Sequence, residues 1–369
     1  MSENGMKERF PSLRVNTDAI RTNARVLCDL CGSYGISVAG VIKFSDGDPR
    51  IAQAYSEGGC AQIAVSRALH LPELKRQFPR TETLLTRAPC RCDLENAARF
   101  ADLILHADAD GLRALNEEAK KWGTTPGIIL MLDVGDLREG VDNIPDLVEL
   151  ALLCEALPNL RLKGVGTNHA CLNGVLPSLE NLSFLVQGAE QVEKAIGRKL
   201  EWISGGSSIN LLLLCEGENK MPPRVNHLRL GGSIANPMNI RLGRGVTFEG
   251  LREDSVSLAA EIIEIREKAS AVVGSTKNWA GQTVKQEDKG RRLRAILAVG
   301  SQDISSARDL IPLDEGVSVV GCSSDHTIVD VTDARPLKSG DVLHFRVRYA
   351  NMLYAFTGNH VEIRYQTDE

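Results

Sequence analysis

Aromatic residues are scarce in this chain, at 4% of 369 residues. That is too few for a surface that stacks nucleic-acid bases. No excess of positive charge compensates: 43 Lys and Arg stand against 48 Asp and Glu, a net charge of −5. Both shortages argue against a nucleic-acid partner. No apolar run is long enough to cross a bilayer, and the start, Met1 to Arg9, has neither an apolar signal region nor a cleavage signal, so no membrane association is expected. The nine cysteines are scattered and odd in number, which excludes a disulfide framework. Cys28-Asp29-Leu30-Cys31 and Cys90-Arg91-Cys92 have no second pair at zinc spacing, so no metal site is expected. A cytoplasmic location fits thiols kept reduced.

What is present is alternation. Short apolar runs read as buried strands: Ile36 to Ile42, Gln62 to Val65, Thr83 to Thr86, Leu103 to His106, Ile128 to Asp133, Leu162 to Gly166, Trp202 to Ser204 and Leu228 to Leu230. Helical patterns lie between most of them, such as Pro49 to Gly58, Ala107 to Trp122 and Leu179 to Ile196. Strands that alternate with helices imply parallel βαβ units, and about eight of them predict a (β/α)8 TIM-type barrel. A strand at Leu13 to Asn16 reads as the start of this region. After residue 250 the pattern turns β-rich, with turns such as Lys338-Ser339-Gly340-Asp341. The predicted organisation is a tail over 1–11, a barrel over 12–248 and a C-terminal all-β domain over 249–369. The polar stretch Glu267 to Arg292 reads as an exposed hairpin or mobile loop.

In such a barrel the residues just past each strand line the active site. Lys43 ends the first apolar run. A lysine desolvated there has a depressed pKa and can condense with a carbonyl; the alternative is a lysine that snorkels to water. Arg138, in the turn Asp133 to Gly140, can clamp a carboxylate through two hydrogen bonds or form a surface ion pair. His169 is a candidate acid or base, or a packing group. Gly206, Ser207 and Ser208 stand between a strand and a helical segment, where backbone N–H groups can cradle an anion. Arg229-Leu230-Gly231-Gly232 offers a second such turn.

This order of motifs resembles the fold-type III pyridoxal 5'-phosphate (PLP) enzymes of the alanine racemase class, and within it the ornithine racemase branch. The resemblance covers nearly the whole chain. It is carried by Val41-Ile42-Lys43, Asp133-Val134-Gly135 with Arg138-Glu139-Gly140, Gly164 to Asn168, Ser204 to Ser208, Asn226 to Gly231 and Ser323-Ser324-Asp325-His326. It implies that Lys43 carries PLP and moves the α-proton on one face. It implies that Arg229 meets the pyridine nitrogen, that Gly206, Ser207, Ser208 and Gly231 hold the phosphate, and that Asn168 sits against the ring. Arg138 would contact the PLP hydroxyl or the substrate carboxylate. The activity implied is racemisation of a small-molecule amino acid, ornithine or another polar one, by a head-to-tail homodimer.

Two departures stand out. The alanine enzymes carry a tyrosine as second base in a turn that here reads Gly300-Ser301-Gln302-Asp303, and Met131 replaces a lysine that supports their arginine. The candidates for the second proton carrier are Cys322, Asp325, Asp303, His326, Cys171 and Tyr349. Asp303, His326 or Asp325 are also candidates for binding a polar substrate side chain. A decarboxylase or aldolase of the same fold, and a non-catalytic PLP-binding protein, are the competing readings. An arginine at 229 argues against the decarboxylase, and the β-rich C-terminal region against a bare PLP carrier.

Overall fold

The computed structural model describes residues 8–215, 217–271 and 287–368. The chain divides into two compact units. One runs from Thr17 to Ser255, with Asp368; the other joins the residues up to Asn16 to Val256–Thr367.

The described residues form sixteen strands in chain order. The first, β1 (Ser12–Asn16), precedes the eight that build the larger unit: β2 (Ser37–Val41), β3 (Gln62–Val65), β4 (Glu82–Leu85), β5 (Leu103–His106), β6 (Gly127–Met131), β7 (Arg161–Gly166), β8 (Trp202–Ser207) and β9 (His227–Leu230). These eight close into a parallel barrel, β9 pairing with β2. Each is short and nearly all buried, as parallel strands between helices must be. Ala39, Ala64, Leu84, Leu103, Leu105, Ile129 and Met131 form one cluster, with Trp202 packed against it. They pack the barrel interior with side chains, as in other closed barrels of this kind.

The helices start and stop where local chemistry directs. Pro49–Glu57 has proline in its first turn, and the Asp48 carboxylate accepts the Arg50 N–H at 2.8 Å. Leu179–Ile196 opens on a reciprocal capping box between Ser178 and Asn181, which satisfies two otherwise orphaned donors. The helix Thr17–Ser33 buries Ile20, Ala24, Leu27 and Cys31 on one face. Cys28 of that helix lies 3.7 Å, sulfur to sulfur, from Cys60, and all nine cysteines are free thiols.

The smaller unit is a mainly antiparallel sheet. Its further strands are β10 (Val256–Ala269), β11 (Arg291–Leu297), β12 (Leu310–Pro312), β13 (Ser318–Cys322), β14 (Thr327–Asp330), β15 (Val342–Val347) and β16 (Glu362–Gln366). They run in the order β12-β15-β10-β11-β14-β13. β1 belongs here, not at the head of the barrel: it pairs antiparallel with β10 and parallel with β16. A helix, Tyr349–Thr357, also lies within this unit. β10 and β11 pair from Ile262↔Leu297 to Ala269↔Arg291, so the ends of the polar stretch are strands of a hairpin; residues 272–286 of it lie outside the described residues.

Candidate functional site

The residues just past each strand shape the barrel mouth. After β2 the chain enters a single 3₁₀ turn, Lys43–Ser45. Its Phe44 and Ser45 are buried, while Lys43 is exposed. Of the two sequence readings of Lys43, its exposure fits the lysine that reaches toward water better than the desolvated one. Arg229 is the opposite case. It lies on β9 in register with Ala39 of β2 and is only 3% exposed.

Burying a guanidinium demands that its N–H groups be met. Here Nη1 donates to Ser204 Oγ, and Nη2 donates to the Thr167 carbonyl at 2.6 Å and to Asn168 Oδ1 at 2.5 Å. All these acceptors are neutral. The nearest negative influence acts at one remove: Asn168 Nδ2 donates to Glu139, which also accepts Arg138 Nη2 at 2.9 Å. Burial pushes the Arg229 pKa down to about 10, with the charge of Glu139 opposing that fall. Arg229 thus stays a cation at neutral pH, held without a direct carboxylate partner among the described residues.

Beside it is a cradle of small residues. Ser208, just after β8, accepts the N–H of Gly231 at 3.2 Å and of Ser233 at 3.4 Å, and lies 3.0 Å from the Ser233 hydroxyl. Gly206 has φ +131, a conformation that side chains rarely adopt. A Cβ at Gly231 would stand 2.8 Å from the Val41 carbonyl oxygen, so the turn after β9 approaches the strand before Lys43 as closely as glycine allows. Tyr55 pins this turn from behind, its hydroxyl donating to the Gly231 carbonyl at 2.9 Å. Ser207 is half-buried and in register with Arg229.

The loop with Arg138 is ordered by Asp136. That carboxylate is buried and accepts the backbone N–H groups of Cys171 and Leu172 at 2.9 Å each, Asn173 at 3.1 Å and Val175 at 3.4 Å. It clasps the loop after β6 to the loop after β7, where Glu139, paired with Arg138, meets Asn168. Arg138 itself is 38% exposed at its side chain. His169 is buried, with Nε2 3.1 Å from Asn181 Oδ1, and burial lowers its pKa. Cys171 is exposed, with its thiol 3.3 Å from the His169 carbonyl.

On the smaller unit, the turns Gly300–Asp303 and Ser323–His326 hold each other: Ser301 N donates to Ser323 O, and Gln302 N to Ser324 O, both at 2.9 Å. Cys322, Asp325, His326 and Asp303 are thereby gathered. Cys322 and Asp325 are exposed, and Asp325 pairs with His326 Nδ1 at 3.0 Å. Asp303 is 5% exposed and accepts the Gly300 N–H at 2.9 Å, so its carboxylate closes its own turn. Tyr349 opens the helix Tyr349–Thr357.

The barrel, its mouth arginine and its two glycine turns agree with what sequence comparison finds: the family described as alanine racemase, N-terminal domain, matches residues 15–235. The chain belongs to that family. Relatives over nearly the full length include the lysine racemase of Thermotoga maritima, 35% identical over 97% of this chain and 99% of its own length. The ornithine racemase of Acetoanaerobium sticklandii is 34% identical over 96% and 99%. Among solved structures, alanine racemase from Streptomyces lavendulae superposes with a TM-score of 0.75, covering 98% of this chain and 99% of that one at 18% identity. At that identity it attests the shared fold, a barrel followed by a β domain.

Sequence reading assigned no individual role to Ser204, Gln62, His227, Glu139 or Asp136, although Ser204, His227 and Glu139 lie within the motifs that carry the resemblance. Each is one polar residue within an apolar or loop stretch, and its partner lies on a different strand or loop. The signal available was polarity where a parallel strand should be apolar, as at Gln62 and His227, the first residues of β3 and β9.

Proposed function

We propose that this protein is a PLP-dependent racemase acting on amino acids with a basic side chain, ornithine or lysine. The observation that carries the PLP reading is Arg229: a buried cation bonded to neutral acceptors, between the strand leading to Lys43 and the Ser208–Gly231 turn; the basic side chain is supported by the similarity to lysine and ornithine racemases. The residues fit PLP. The Ser208 hydroxyl with Gly206, Ser207 and the Gly231 amide would hold the phosphate, Asn168 would lie against the ring, and Lys43 would carry the cofactor. Bound PLP supplies a sink for the charge left when the α-proton departs.

Lys43 then serves as the proton carrier on its own face of the α-carbon. Arg229 would face the ring nitrogen as a donor and disfavour its protonation, because protonation would set two positive charges together. That would moderate the sink and favour return of the proton over other breakdown. A decarboxylase would want an acid at this position. Arg138 orients the substrate carboxylate, with Glu139 and the Asp136 clasp holding its loop. Cys322 and Asp325 are our candidates for the second proton carrier, and His326 for contact with the substrate side chain. We further propose a head-to-tail homodimer; a fully active monomer in sedimentation would refute that part.

The decisive experiment is solvent deuterium exchange at Cα across a panel of L- and D-amino acids, with PLP absorbance followed in parallel. Exchange with inversion of L-ornithine or L-lysine is expected, together with an absorbance band near the visible edge that Lys43→Ala abolishes. A chain that stays colourless with added PLP, or exchange without inversion, would overturn the racemase reading.

A further inference from the structure

We propose that Ser204, His227, Gln62 and Glu82 form a directional hydrogen-bonded line through the barrel, and that this line positions the Arg229 guanidinium. That function for Arg229 rests on the racemase reading above; the line itself does not.

His227 and Arg229 are two apart on β9 and so share one face. His227 is fully buried, with its ring 5.1 Å from that of Trp202 in the interior. Its Nδ1 lies 2.8 Å from Ser204 Oγ on β8. Its Nε2 reaches past β2 to Gln62 Oε1 on β3 at 2.9 Å. Gln62 Nε2 in turn donates to Glu82 Oε2 on β4 at 2.7 Å. Gln62, Glu82 and His227 are the first residues of their strands. The line therefore ends at the face of the barrel opposite to Lys43.

The partners assign every proton. Glu82 is acceptor-only, so the Gln62 amide must present its NH₂ there and its oxygen to His227. A flipped amide would set two oxygens against each other. Facing that oxygen, His227 Nε2 must carry the proton. A neutral imidazole then has a lone pair on Nδ1, and the Ser204 hydroxyl donates to it. The lone pairs of Ser204 are left for Arg229 Nη1. Each donor from Arg229 to Glu82 points the same way, and such lines strengthen one another in a low dielectric. Burial, reinforced by the neighbouring Arg229 charge, lowers the His227 pKa to about 3, which agrees with a neutral ring.

The consequence is for Arg229. With its proton committed to His227, Ser204 cannot turn that proton toward the guanidinium. Ser204 Oγ, the Thr167 carbonyl and Asn168 Oδ1 then fix the guanidinium plane from separate sides. The carboxylates of Glu82 and Glu139 bound this network at its two ends, each separated from the cation by neutral groups. Glu82 and His227 are thus positioning residues that touch no substrate.

The test uses the full chain with ¹⁵N-labelled histidine, of which it has seven, His227 being identified through its contact with Trp202. Without PLP, His227 is expected as the neutral Nε2–H tautomer from about pH 5 to about pH 8. An Nδ1–H tautomer, or an imidazolium, would overturn the proposal. In Glu82→Gln, which keeps an acceptor but loses the charge, the His227 Nε2–H resonance is expected to shift. With PLP bound, kcat for L-ornithine or L-lysine should fall about threefold at unchanged KM. An unmoved His227 resonance alongside a normal PLP band would sink the line and leave the racemase reading standing. A shifted resonance in a chain that never takes up PLP would do the reverse.

Discussion

The clasp at Asp136 determines whether the loops carrying Arg138 and Asn168 are ordered, and Asp136→Asn tests it without reference to any ligand. The substitution keeps the shape but turns one acceptor oxygen into an NH₂ group. In the native loop one oxygen accepts Cys171 N and Leu172 N at 2.9 Å, and the other accepts Asn173 N at 3.1 Å and Val175 N at 3.4 Å. The amide can keep one of these pairs. The other pair then faces donors with its own donors. Cys171, Leu172 and Asn173 are exposed residues, so each N–H left unmade costs at the low end, roughly 1 kcal/mol, and the long Val175 bond counts for little. A loss of about 1.4 kcal/mol corresponds to about tenfold in the opening equilibrium of the loop. Hydrogen exchange of the 171–175 amides should accelerate by about that factor, with the β6–β7 ladder unchanged. If those amides stay within about threefold of native protection, the clasp does not order the loop. Burial pushes the Asp136 carboxyl up, but the four backbone N–H groups outweigh it and hold the pKa below the ordinary carboxylate value. The clasp is therefore intact above the ordinary carboxylate range and lost only as pH falls through the lowered folded pKa. The excess exchange of the variant over the native chain should shrink in that acidic window.

Gly231→Ala sets a methyl group 2.8 Å from the Val41 carbonyl oxygen, forcing the turn away from Ser208. PLP affinity measured by absorbance titration should weaken at least about tenfold, with a stability loss of roughly 1–3 kcal/mol by urea unfolding. Arg224→Ala removes the forked partner of Glu193, whose side chain is 5% exposed and whose pKa is held at about 2 by Arg224, against burial, with help from Lys199. Urea unfolding at neutral pH should show a loss of about 2 kcal/mol. That loss should fade as pH falls toward the lowered folded value, since protonated Glu193 no longer needs the cation.

Local chemistry made much of the fold legible. Prolines, glycines and Asp or Ser caps mark the helices, and runs such as Leu103–His106 mark buried strands to the residue. β1 shows the limit. Its apolar alternation identifies a strand, but only pairing with β10 and β16 says to which sheet it belongs. The same limit applied at the site. Lys43, Arg229 and the glycine turns could be found because each sits at a strand end in a recognisable order. The bonds that join Ser204, His227 and Gln62 could not be read, since each partner is on another strand.

The sequence by itself determined the class of fold and the family. Strand periodicity and strand-end position are properties of short segments, readable without a partner. The tertiary structure decided three things that those segments do not contain. Lys43 is exposed while Arg229 is buried, because burial depends on what packs alongside. Asp303 closes its own turn, because the turns Gly300–Asp303 and Ser323–His326 meet. The charge on Arg229 is balanced through neutral groups, because residues far apart in sequence share the interior of one closed barrel, where each polar atom has to find a partner.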